Sequence, residues 1–257
     1  MKTTGNVVFV TGGASGLGEG TVRHFAQKEK NNKVVFCDMN EEKGKAMEAE
    51  LGEDVMFIKV NVADNEQVEA AVDAAVEKFG KIDVLVACAG VGSYWKVVGR
   101  DGLHPIDKFK NVIDIDLMGT FYAIRACAGK MQHNQPNEDG EKGVMVLTSA
   151  IAAVEGQIGQ SAYSAAKGGI NGLVLTCARE FDRLGIRINA ISPGPFATPA
   201  MLGVSDAVME GVLKNVVFPK RLGKVEEFAQ MCEFMVSNPM VNGDNYRLGA
   251  GYHQTAR

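Results

Sequence analysis

The sequence predicts an α/β fold: one doubly wound parallel sheet with helices on both faces. Three observations carry that reading. Short apolar runs alternate with longer amphipathic stretches along most of the chain. The runs are nearly continuous in Val, Ile, Leu and Phe, as strands buried on both faces are, and do not alternate apolar with polar. The first run ends in a glycine-rich turn that opens a helical stretch.

In order, 7–10 reads as a strand ending at Thr11-Gly12-Gly13, and 16–28 as a helix. A second strand at 34–37 and a charged helix at 41–51 follow, then a third strand at 55–60. The stretch 66–79 places Val68, Val72, Ala75 and Phe79 on one helix face, and 82–86 is a fourth strand. The second half repeats the rhythm with a long helix over 106–131, a strand at 144–148, a helix over 161–183 and a strand at 186–191. The Gly-rich stretch 92–105 and the polar stretch 132–143 read as surface insertions with no domain boundary between them. Residues 1–257 are therefore expected to form one domain, with a cofactor half over about 1–150 and a catalytic and substrate half over about 151–257.

Composition narrows the function classes. A net charge of −4 offers no basic field for phosphate backbones, so no nucleic-acid partner is expected. Five dispersed cysteines without a CxxC pair argue against a disulfide framework or zinc site. They favour a reducing compartment, the cytoplasm, with the mitochondrial matrix as the alternative. The four histidines have no ligand spacing, so no metal is expected. No apolar run approaches the roughly 20 residues that span a bilayer, so no membrane partner is expected either. A strand starting within the first ten residues leaves no room for a signal or transit peptide, and Thr255-Ala256-Arg257 is not the peroxisomal address.

The turn Thr11-Gly12-Gly13-Ala14-Ser15-Gly16-Leu17-Gly18 lies between a strand and a helix. Gly12, Gly16 and Gly18 permit a tight turn and close backbone approach. Ser15 and Leu17 complete the rim, and the helix N-terminus faces a pyrophosphate. That makes the fold Rossmann-like. Asp38 ends the second strand, where a carboxylate accepts from ribose hydroxyls and repels a 2′-phosphate. No Arg or Lys occurs in 37–40, so the expected cofactor is NAD.

Tyr163 and Lys167 stand four residues apart on one helix and share a face. An ammonium near a phenol favours the phenolate, so the pair suits proton exchange with an alcohol during hydride transfer. Together with TGGASGLG, the pair resembles the short-chain dehydrogenase/reductase family over nearly the whole chain. Cys88-Ala89-Gly90 stands where that family usually has Asn-Ala-Gly, and the resemblance puts it on the adenine–ribose side. Pro193-Gly194-Pro195-Phe196-Ala197-Thr198 follows the sixth strand, and the resemblance places it over the nicotinamide. The segments DLMGTFYAIR, NQPNEDGEKGV, EGQIGQSAYSAAKGGI, FPKRLG and NPMVNGDNYRLGAG are similar to a subgroup of that family. They imply a homotetramer, NAD(H), and small-molecule substrates of the acyl-CoA or steroid-like alcohol and ketone type.

The chain departs from the family pattern at three further positions. The catalytic serine falls thirteen residues before the tyrosine, which here is Ala150. The adjacent Ser149 would replace it if a local bulge re-aimed the side chain. The asparagine that orders a relay water aligns with Asp116. Asn61, followed by Val62, stands where an Asp usually contacts the adenine amino group. These changes keep a second reading open, an NAD-binding, catalytically weak scaffold or regulatory protein. After Thr198, Met201, Leu202, Val208, Met209, Val212 and Leu213 form an apolar set, read as core packing or as a mobile lid.

Overall fold

The computed structural model describes residues 1–100 and 102–256. Asp101 of the first insertion and Arg257 of the closing tripeptide lie outside the described residues. The first three strands are β1 Val7–Thr11, β2 Lys33–Asp38 and β3 Val55–Lys59, interleaved with helices α1 Gly16–Phe25 and α2 Glu41–Leu51. Helix α3 Asn65–Phe79 leads to β4 Val84–Ala87. The first insertion carries a two-residue antiparallel pair, β5 Val98–Gly99 and β6 Gly102–Leu103. The long helix is α4 Ile106–Val112 continued by α5 Gly119–Met131, with a π-helical turn Ile113–Met118 between them. Then come β7 Gly143–Thr148, α6 Ser161–Glu180, β8 Ile186–Pro193, α7 Pro199–Leu202, α8 Asp206–Asn215, α9 Val225–Ser237 and β9 Asn245–Leu248.

Seven strands pair in parallel in the order β3-β2-β1-β4-β7-β8-β9. The apolar runs are unbroken because successive residues enter different cores. Phe9, Leu85, Met145 and Ile188 pack on one face against α3, α5 and α6. Val8, Val10, Val84, Val86, Val144 and Val146 pack on the other against α1, α2 and α9. The long helix holds over the expected span, and α6 is shorter than expected, giving way to a 3₁₀ turn at Asp182–Leu184. α9 and the edge strand β9 had no clear sequence signal. β9 pairs on one side only and its four residues are intermediate or exposed, so it lacks the apolar run of the central strands.

The topology fixes where a ligand goes. β1 is bonded to β2 on one side and β4 on the other, so the winding reverses there. Crevices outside the carboxyl ends of strands at such a switch point are ligand sites.

Candidate active site

The glycine turn leaves β1 at that crevice. Gly12 has φ of 66°, and a Cβ there would sit 2.7 Å from the Ala89 backbone. Gly16 has φ of 56°, and a Cβ on Gly18 would meet the Gly12 carbonyl at 2.1 Å. The first two positions therefore favour glycine by conformation, and Gly12 and Gly18 exclude a side chain by space. Ser15 is the N-cap of α1 and its side chain makes no capping bond, leaving the first-turn amides open to a ligand. Asp38 lies beside the turn, its carboxylate accepting from Ala14 N at 3.1 Å and Asn40 N at 2.9 Å. Asn40 itself caps α2.

The other expected cofactor residues follow neighbouring strand ends, with mixed outcomes. Ala89 N donates to Thr11 Oγ1 at 3.3 Å, tying the 88–90 loop to the turn. Burial pushes the Cys88 thiol up to about 11, and its sulfur accepts from the Thr148 hydroxyl at 3.4 Å. Gly194 packs on Gly249, where a Cβ would lie 2.8 Å from Cα. Pro193, Gly194 and Thr198 line the cleft, and Thr198 caps α7. Phe196 does not line it: its ring is buried in the core edge-on to Phe228. Asn61 turns its side-chain oxygen to Ala63 N at 3.1 Å, and Val62 is buried under Gly119.

One cleft of about 630 Å³ joins Ser15, Leu17 and Gly18 to Tyr163, Lys167 and Asp116. Lys167 is buried, its Nζ donating to Thr148 O at 3.0 Å and standing 3.2 Å from Asp116 Oδ2. The same nitrogen lies 5.5 Å from the Tyr163 ring centroid. Asp116 sits fully buried in the π-helical turn, a distortion common at functional sites, and its Oδ1 accepts from Val91 N at 2.8 Å. Gly90 makes room, since a Cβ there would come within 3.0 Å of Asp116 Oδ2.

The electrostatics differ from the simple pair expected above. Burial pushes the Tyr163 phenol up, Lys167 pulls it down, and Asp116 and Tyr94 push it up again, for a net rise. Burial disfavours the Lys167 ammonium, but Asp116 and Tyr163 more than offset it, so this group also lies above its ordinary value. The carboxylate therefore holds Lys167 charged while cancelling part of its pull on the tyrosine.

Ala150 is buried at the cleft wall in extended backbone. The Ser149 hydroxyl is engaged with α6, lying 2.7 Å from Asn171 Oδ1 and 3.2 Å from Lys167 O. Ser149 also borders the cleft, but its hydroxyl donates to α6 and is not free for a substrate oxygen. Of the apolar set, Met201, Val208 and Val212 line the cleft, whereas Leu202 is exposed. Ser93, Gln157, Gln160, Tyr252 and Gln254, which no sequence motif singles out, also line the wall. They come from loops and from the C-terminal tail. Glu155 docks that tail, binding Arg247 at 2.7 and 2.9 Å, His253 at 2.7 Å and Gln254 N at 2.9 Å. No local pattern announces such contacts.

A cradle that backbone and glycine alone can form, opening onto a tyrosine–lysine helix at a parallel-sheet switch point, defines a nicotinamide-dependent oxidoreductase. Residues 6–208 match the short chain dehydrogenase family. The chain is 40% identical over 244 residues to a 3-hydroxyacyl-CoA dehydrogenase type-2 of Drosophila melanogaster, covering 94% of this chain and 95% of that protein. It is 39% identical over 246 residues to the Homo sapiens protein of the same name, covering 95% and 94%. The crystal structure of 3-hydroxyacyl-CoA dehydrogenase type-2 from Mycobacterium avium superposes with a TM-score of 0.93 at 38% identity, covering 100% of both chains. The protein belongs to the short chain dehydrogenase family, and so is an oxidoreductase acting on CH–OH groups with a nicotinamide cofactor. The scaffold reading is not favoured by these relatives.

Proposed function

We propose that the protein transfers hydride between NAD(H) and a secondary alcohol or ketone, with 3-hydroxyacyl-CoA or steroid-like compounds as the substrate class. The single observation that carries this is the shared cleft of the glycine cradle and the Tyr163–Lys167 helix face. The cradle fits a dinucleotide, because the close backbone packing at Gly12 and Gly18 forms the tight turn and the uncapped first turn of α1 presents its amides to a pyrophosphate. NAD, when bound, supplies the hydride acceptor. Gly12, Ser15, Gly16, Leu17 and Gly18 hold its pyrophosphate. Asp38 takes the adenosine ribose, Cys88, Ala89 and Gly90 the adenine–ribose side, and Pro193, Gly194 and Thr198 the nicotinamide end.

The chain's own groups handle the proton. The Tyr163 phenolate receives it from an alcohol in oxidation, and the Tyr163 phenol gives it to the nascent alkoxide in reduction. Lys167 steadies the phenolate, and Asp116 fixes Lys167 through the 3.2 Å pair. Met201, Val204, Val208 and Val212 give the substrate end an apolar wall suited to an acyl or steroid-like body. The names of the relatives support the acyl-CoA class. The five free cysteines support a reducing compartment, the cytoplasm or the mitochondrial matrix. Among the described residues, no helix is long and apolar enough to cross a membrane. The test is turnover of NADH with acetoacetyl-CoA. We expect Tyr163→Phe to lose about 10²–10⁴ in rate while binding NADH normally; unchanged turnover in that variant overturns the mechanism.

A further inference from the structure

Resting on the reading above, the substrate oxygen gathers negative charge during hydride transfer and needs a second donor beside Tyr163. The methyl of Ala150 cannot donate, and Ser149 is engaged by Asn171 at 2.7 Å. Thr148 gives its hydroxyl hydrogen to Cys88 at 3.4 Å, while Ser15 and Thr198 stand at the glycine turn. We propose that the Ser93 hydroxyl is the donor that binds the reacting oxygen in place of the serine missing at Ala150.

The placement supports it. β4 and β7 are hydrogen-bonded neighbours, with Ala87 opposite Leu147, so the chain segments carrying Ser93 and Ala150 leave the same sheet edge side by side. The segment after β4 passes Lys167 at Gly90. It then meets the approach to α6 where Trp95 N donates to Gly159 O at 2.9 Å, four residues before Tyr163. Ser93 lies between these anchors and lines the same cleft as Tyr163 and Ala150. Its Oγ is covered from bulk water and has no hydrogen-bond partner among the described residues. A covered hydroxyl without a partner is unfavourable until something supplies one. Ser161 and Ser164 are also unpartnered but do not line the cleft. Among the described residues, the other cleft-wall atoms without a hydrogen-bond partner are Gln254 Oε1 and Asp116 Oδ2, which accept and cannot serve an alkoxide.

The experiment compares Ser93→Ala, Ser93→Thr, Ala150→Ser and the Ser93→Ala/Ala150→Ser double variant in ketone reduction. Tyr163→Phe is the control, and NADH affinity is followed by fluorescence. Ser93→Ala should lower kcat by about 10²–10³ with NADH affinity unchanged. Ser93→Thr should keep most of the activity. Ala150→Ser should gain little alone and restore much of the loss in the double variant. The infrared carbonyl stretch of a ketone bound with NAD should move toward its solution frequency in Ser93→Ala. A Ser93→Ala protein with wild-type kcat and an unmoved carbonyl band overturns the assignment. So does a 10²–10³ gain from Ala150→Ser alone, because the donor would then be missing in the parent. A wild-type protein inactive on ketones, or an unimpaired Tyr163→Phe variant, instead overturns the functional reading beneath it.

Discussion

Asp116 is one of the positions where this chain departs from the family pattern, and it stands 3.2 Å from Lys167. Alcohol oxidation needs the Tyr163 phenolate, whereas ketone reduction needs the phenol. Burial first, then the charges of Asp116 and Tyr94 working against Lys167, hold the phenol above its ordinary value. Oxidation should therefore rise as pH climbs into the alkaline range, while reduction stays level through neutrality. Asp116→Asn keeps an oxygen for Val91 N, now 2.8 Å away, but removes the charge 3.2 Å from Lys167. The ammonium then acts on Tyr163 against burial and Tyr94 alone, the phenolate forms at lower pH, and the oxidation profile shifts toward acid. A profile that stays in place would show that Asp116 holds only the loop. At the second strand's end, Asp38 has no basic residue beside it over 37–40, so titration of both dinucleotides should give tighter binding of NAD(H) than of NADP(H). Asp38→Ala should narrow that difference.

Among the elements, β8 and α9 are pinned by Arg187. Its Nη1 donates to Met235 O and Val241 O, both at 2.7 Å, and Nη2 to Val236 O at 2.9 Å. Its Nε donates to Glu141 Oε1 at 2.8 Å. Arg187 thus satisfies carbonyls left open where α9 ends and ties them to the second insertion. Replacing it with Met would leave those carbonyls open and Glu141 with the N-terminal ammonium as its remaining ion-pair partner. Removing one member of such a buried pair typically costs about 3–5 kcal/mol. A guanidinium titration of Arg187→Met should show that loss as an earlier midpoint, with NADH binding kept where the variant is folded. A midpoint equal to wild type would mean the carbonyls find other partners.

For the molecule as a whole, we propose a homotetramer. Phe121 on α5, Leu175 on α6 and Phe234 on α9 are exposed on helices whose other faces pack against the sheet, and Met240 is 87% exposed beyond α9. Sedimentation equilibrium at micromolar concentration should give four times the chain mass of 27.5 kDa, and a monomer would refute it.

The central sheet was legible because its strands are buried on both faces and so are nearly continuous in apolar residues, and β1, β4 and β7 are buried along their whole length. The glycine turn and the Tyr163–Lys167 spacing were legible because backbone conformation and helix periodicity are local properties. The sequence by itself thus determined the parallel α/β fold, the place of the cradle and the residues facing it. Tertiary structure decided what depends on groups far apart in the chain. It put Asp116 within reach of Lys167, turned Ser149 toward Asn171 and Phe196 into the core, and brought Ser93 and Gln254 to the wall beside Ala150. Which side of a strand or loop a polar group faces is set by the partners it finds across the fold, and no window of neighbouring residues contains them.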